Sequence, residues 1–124
     1  MLETYSLNVA VTANSAIPFN SDSITKGCTA VHSAPSTIDL NKSGVYMVSF
    51  DGTASASTTV QLYKDGIAQP QAQSTGTTPN FVTLVQVDRN NCQCNCSSSP
   101  VILRLVNTAA VTFTNANLVV TKVC

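Results

Sequence analysis

The chain has no tryptophan, one histidine (His32), one glutamate (Glu3) and two arginines in 124 residues, and only 10% of its side chains are charged, six basic against six acidic. With no net positive charge and no basic run, there is no counterion-release term for nucleic acid and no polybasic patch for anionic lipid. No apolar run approaches the ~18 to 20 residues that span a bilayer. The first nine residues, MLETYSLNV, lack a basic stretch leading into an apolar one, so no signal peptide is visible. Catalysis is poorly served as well. A Cys/His or Ser/His/Asp site would have to use His32, and no nucleophile-elbow or family-specific cysteine signature surrounds any candidate nucleophile. The carboxylates Glu3, Asp22, Asp39, Asp51, Asp65 and Asp88 stand singly, and Asp51 and Asp65 have turn roles beside glycine. No phosphate-cradling glycine loop or EF-hand pattern occurs, and the tyrosines sit in strand patterns rather than a basic aromatic groove. The expectation is a chain that is not an enzyme, holds no organic cofactor, binds no nucleic acid and inserts into no membrane.

What is present is β-forming. Fifteen Val and sixteen Thr abound, and solubility rests on neutral hydrogen-bonding side chains, with fourteen Ser and eleven Asn beside the Thr. Thr4 to Thr12 alternates Tyr5, Leu7, Val9 and Val11 against Ser6, Asn8, Ala10 and Thr12, the period-2 signature of a strand with one wet face. Ala16-Ile17-Pro18-Phe19 belongs at a sheet edge, because proline has no ladder donor, and a loop is expected through Lys26-Gly27-Cys28. Thr29–His32 and Thr37–Leu40 are short strands around Ser33-Ala34-Pro35-Ser36, and Asn41-Lys42-Ser43-Gly44 turns into Val45–Phe50. Asp51-Gly52 marks a place for a bend or bulge. Thr58–Tyr63 leads to the hairpin signal Lys64-Asp65-Gly66, since Asp-Gly tolerates positive φ, and Ile67 starts the return. A polar, punctuated stretch follows from Gln69 to Pro79. Phe81–Val87 ends at Asp88-Arg89-Asn90-Asn91, and Val101–Val106, Val111–Thr114 and Leu118–Val123 close the chain. Turn signals every eight to twelve residues, without a helical period or internal repeat, fit a single-domain sandwich or barrel over residues 1–124. An open meander would leave edges that invite aggregation.

Three of these strands, Val45–Phe50, Phe81–Val87 and Leu118–Val123, are apolar on both faces. A two-sheet sandwich buries only the inner face of each strand, so the outer face needs a second cover. Central strands carrying extra aliphatics, or a loop of the same chain, are one explanation. Self-association is the other: were the three strands neighbours, their outer faces would form an apolar patch of several hundred Å², enough for a subunit interface.

In order along the chain, Ala16-Ile17-Pro18-Phe19-Asn20, Gly44-Val45-Tyr46-Met47-Val48-Ser49-Phe50, Lys64-Asp65-Gly66 and the closing Leu118-Val119-Val120-Thr121-Lys122-Val123-Cys124 resemble the trimeric jelly roll of tumour necrosis factors, complement globular heads and the tips of bacterial and phage collagen-like proteins. Lys26-Gly27-Cys28, the Cys92/Cys94/Cys96 cluster and Lys122-Val123-Cys124 look most like small cysteine-containing domains of Firmicutes and their phages. No collagen-like stem precedes the domain in this sequence. The resemblance implies an all-β, antiparallel two-sheet jelly-roll sandwich of eight to ten strands, with the first, Gly44-led, Phe81-led and last strands in the sheet that packs around a threefold axis. Tyr46, Val48 and Phe50 would then point inward, while Val45 and Met47 face the axis with Val82 and Leu84.

Five cysteines cannot all pair within one chain. Cys92-Gln93-Cys94-Asn95-Cys96 lies in a polar loop, and a lone C-x-C-x-C is not a standard zinc pattern. Trimerisation would gather three such clusters if the loop sat on the axis, so Cys92, Cys94 and Cys96 are candidate ligands of a shared metal, candidate interchain disulfides or free thiols. The topology that the resemblance implies would bring the last strand toward the cluster, so a bridge from Cys124 to Cys92, Cys94 or Cys96 is the pairing it favours; Cys28 reads as a small buried apolar side chain. Asn41-Lys42-Ser43 and Asn95-Cys96-Ser97 fit the glycosylation sequon, which matters only in a eukaryotic secretory setting. The expected role is a homotrimeric structural or adhesive module on a virion or extracellular surface, such as a phage tail-tip or decoration domain displaying loops to a cell-surface glycan or protein. The alternatives are a spore- or cell-surface tip that only trimerises a stem, and a thiol- or metal-binding trimer.

Overall fold

A computed structural model describes residues 1–26, 30–87 and 101–123. Within them the chain forms eleven strands: β1 (Leu2–Val11), β2 (Ser15–Ala16), β3 (Ser21–Thr25), β4 (Ala30–Ala34), β5 (Thr37–Leu40), β6 (Gly44–Ala54), β7 (Thr58–Lys64), β8 (Ile67–Gly76), β9 (Asn80–Val87), β10 (Val101–Asn107) and β11 (Val111–Lys122). They pair antiparallel in two sheets, ordered β3-β1-β11-β6-β9 and β4-β5-β10-β7-β8, with β2 attached to β10. The first, Gly44-led, Phe81-led and last strands therefore share one sheet, as the resemblance implies, and the three strands with two apolar faces (β11, β6 and β9) are neighbours in it.

The core is built by alternation. Tyr46, Val48 and Phe50 on β6, Phe81, Val85 and Val87 on β9, and Leu118 and Val120 on β11 face Val60, Leu62, Leu103 and Leu105 of the second sheet, all buried. Gly52 is buried on the same inner row, and a Cβ there would stand 3.0 Å from Phe50 Cζ and 3.4 Å from Phe113 Cδ1, so glycine makes room for two rings. β6 runs as a strand through Asp51-Gly52, and its pairing with β11 is unbroken there. The Asp65-Gly66 turn has the expected form: both residues have positive φ, 51° and 82°, and Lys64 pairs with Ile67 across it.

Four local readings change. Ser21–Thr25, expected as loop, pairs with β1 as an exposed edge strand, and polar Gln69–Gly76 continues β8 against β7. Both were hidden because an edge or wet strand carries no apolar alternation. Val111–Thr114 and Leu118–Val123 are one strand, joined through Asn115-Ala116-Asn117, where Ala116 is fully buried. In β1 the alternation does not keep one face: Thr4 and Ser6 are buried while Leu7 is 62% exposed, and the faces exchange at Asn8, which adopts φ 52°. Past it, Val11 is buried. The buried hydroxyls are satisfied locally: Thr4 Oγ1 donates to Ser21 O at 2.9 Å, and Ser6 Oγ donates to Pro18 O at 2.7 Å while accepting from Asn20 N at 2.8 Å. Ser6 thus anchors the Pro18 segment as it crosses from β10, where Ile17 N bonds Leu105 O, to β1, where Asn20 N bonds Tyr5 O. Ile17 and Phe19 enter the core on the way.

Candidate functional site

The outer face of the β3-β1-β11-β6-β9 sheet can be assembled row by row from the ladder. Met47 pairs with Thr121 on one side and Leu84 on the other; Ser49 pairs with Val119 and Val82; Val45 pairs with Gln86, and its carbonyl accepts from Val123 N at 2.8 Å. Directly opposite residues lie side by side on one face of a sheet, so Val45, Met47, Val82, Leu84, Val119 and Val123 form one contiguous apolar area. Val82 is 66% and Leu84 60% exposed, while Val45, Met47 and Val119 are half-buried. Six of the seven exposed large hydrophobics among the described residues, Met1, Leu7, Ile24, Val82, Leu84 and Val123, lie on or beside this face, and only Ile67 belongs to the other sheet. Further along the same face the rows become polar: Asp51 pairs with Asn117 and Asn80, and Thr53 with Asn115. All four residues expected at the axis thus share one outward surface, and no described loop covers Val82 or Leu84.

The cysteine sites expected from the sequence lie outside the described residues: Cys28, the Cys92, Cys94 and Cys96 cluster with its expected metal or disulfides, the sequon Asn95-Cys96-Ser97, and Cys124. Among the described residues no three His, Cys, Asp or Glu side chains converge in a metal-holding group.

His32 does have a carboxylate partner. Its Nδ1 lies 2.7 Å from Asp22 Oδ1 and its Nε2 3.1 Å from Pro35 O. Asp22 is on β3, at the edge of one sheet, and His32 on β4, at the edge of the other, so the pair fastens the sandwich along one side. The ring nitrogen that would serve a nucleophile faces a backbone carbonyl, and the nearby Ser33 hydroxyl donates instead to Asp39 Oδ1 at 3.0 Å.

The second sheet carries a feature the sequence reading missed. Tyr63 on β7 and Arg104 on β10 are cross-strand partners, and with Asp65, Gly66, Ile102 and Val106 they line a pocket of about 390 Å³. In the sequence Tyr63 is one more strand residue, and the available signal for the pocket is Arg104, a residue type rare in this chain, between apolar neighbours in Val101–Val106.

No family model and no curated protein matches the chain. Solved structures do: rabbit GITRL, with 12% identity and a TM-score of 0.61, covers 100% of this chain and 95% of its own. Murine APRIL at pH 8.5, with 8% identity and a TM-score of 0.61, covers 98% of each. At such identities the likeness is one of fold, and together with the two antiparallel sheets it gives the chain a tumour necrosis factor-like jelly-roll sandwich.

Proposed function

We propose that the chain is a non-enzymatic homotrimeric surface module whose copies pack through the outer face of β11, β6 and β9. The observation that carries this reading is the contiguity of Met47, Val82 and Leu84 on a face otherwise left to water. Burying one large aliphatic side chain contributes on the order of 1.5–3 kcal/mol, and three copies bury the set three times, whereas the carboxylates on this face stand apart, Asp51 at its polar end and Glu3 beside Val119 on β1. Three copies, rather than two, is the reading supported by the tumour necrosis factor-like fold and by the motifs quoted above.

The module works by multivalent display. Rigidly held triplicate loops turn individually weak contacts into strong attachment when one surface presents several ligands within reach. As its setting we propose the exterior of a virion, at a tail tip or decoration position; the order of its cysteine motifs, like that of small Firmicutes and phage domains, supports this. Proteomics of purified virions tests the setting, and its presence in spore coats instead would reverse it.

Light scattering of the purified chain tests association: a mass three times 13.0 kDa is expected. Met47→Asp and Leu84→Asp should each release monomers, because an unpaired carboxylate buried at a subunit contact costs several kcal/mol. A wild-type chain that stays monomeric at high concentration overturns the proposal, and an unchanged trimer in both variants overturns the assigned face.

A further inference from the structure

The pocket on the second sheet lies on the opposite side of the sandwich from the apolar face, so association through that face leaves it open. On β10 the outward positions are Ile102, Arg104 and Val106, and the alternate residues Leu103, Leu105 and Asn107 are buried. The ladder from β10 to β5 ends at Leu103 and that to β2 begins at Val106, so no ladder partner flanks Arg104 on the side away from β7. Among the described residues its exposed guanidinium has neither an ion-pair nor a hydrogen-bond partner. Asp65, at the rim, is already oriented: its Oδ1 accepts from Ile102 N at 2.9 Å and its own N donates to Ile102 O at 2.8 Å. The second carboxylate oxygen is left to accept from a ligand. Gly66, with no heavy atom within 4 Å of where a Cβ would stand, keeps the rim open.

The set combines an aromatic face, two aliphatic side chains, one forked cation and one fixed acceptor. Its volume falls in the range of small-ligand sites. We propose that this pocket binds a carboxylate-bearing pyranose, a uronic acid or similar acidic sugar unit. The guanidinium would hold the carboxylate with two parallel hydrogen bonds. Tyr63 and Val106 would cover the apolar C–H face of the ring, and Asp65 would accept from a ring hydroxyl. A neutral sugar would leave Arg104 unanswered, and a bare carboxylate would leave the aromatic and aliphatic wall unused. The assignment names a ligand class for the display reading above and rests on it for its use, but each pocket belongs to a single protomer.

Saturation-transfer NMR on the whole chain with sodium glucuronate tests it, with glucose, sodium acetate and a short polyglutamate peptide as comparators. Glucuronate should saturate at millimolar concentration, with transfer strongest on ring C–H protons. Arg104→Gln should weaken binding about tenfold, the effect expected for a lost charge-assisted pair, and Arg104→Lys should recover only part of it. Tyr63→Ala should weaken glucuronate and leave the weak acetate signal unchanged. Acetate or polyglutamate binding as well as glucuronate, or an Arg104→Gln variant that binds normally, would overturn the proposal. Light scattering of the same samples separates the two claims: a monomer that binds glucuronate overturns the trimer alone, and a trimer that ignores it overturns the pocket alone.

Discussion

Ser6 is a small polar residue in a position that its neighbours in sequence assign to water, yet it is 1% exposed and holds two backbone groups of another segment. Removing its hydroxyl leaves Pro18 O and Asn20 N without that partner in a partly buried site. Ser6→Ala should therefore cost about 1–3 kcal/mol, measured as a shift in the denaturant midpoint at constant slope. Gly52 carries the opposite kind of constraint, absence of bulk. Gly52→Val should cost about 1–3 kcal/mol, because the added side chain must displace the Phe50 ring and crowds Asn115 O, 3.3 Å from the new Cβ; thermal unfolding reads the loss, and a neutral outcome would mean that both the ring and the β11 backbone give way. At Asn8 the left-handed backbone suits Asn and penalises β-branched residues.

At the scale of elements, the connection from β10 to β11 is held by a ring of polar contacts. Thr58 Oγ1 donates to Asn107 Oδ1, Asn107 Nδ2 donates to Ala109 O, and Ala109 N returns to Thr58 Oγ1 at 3.2 Å. Asn107 is fully buried, so the ring closes a wet turn over the end of the core. Asn107→Ala leaves Thr58 and Ala109 unanswered, and faster amide exchange is expected in residues 107–111 than in the rest of β11, with a stability loss of about 1–3 kcal/mol. Protection unchanged from wild type would show that the turn is held by its backbone bonds alone, among them Thr108 N to Thr59 O at 3.0 Å.

For the whole molecule, the balance of forces is set by the contrast between its two outer faces. One is apolar along β11, β6 and β9, and on the other, among the described residues, Ile67 is the one exposed large hydrophobic side chain beside the Tyr63–Arg104 pocket. Association driven by the first should be nearly indifferent to salt between about 0.05 and 0.5 M, because net charge is zero and no ion pair is needed to form it. Light scattering across that range checks this, and a trimer that dissociates as salt rises would place charge, not aliphatic burial, at the contact.

The sequence by itself determined the all-β class and the Asp65-Gly66 hairpin, because composition and turn chemistry act over a few neighbouring residues; the inward row Tyr46, Val48, Phe50 followed only from the family resemblance, since that strand is apolar on both faces. The sequence also marked three strands as too apolar for one wet face, and the resemblance added which residues, Val45, Met47, Val82 and Leu84, would face outward. Only the tertiary structure decided that those strands are neighbours, since strand order is a matter of long-range pairing. It likewise inverted β1 at Asn8, made strands of polar Ser21–Thr25 and Gln69–Gly76 by supplying partners for their backbones, and joined Arg104 to Tyr63, 41 positions apart, through a ladder that no local pattern encodes.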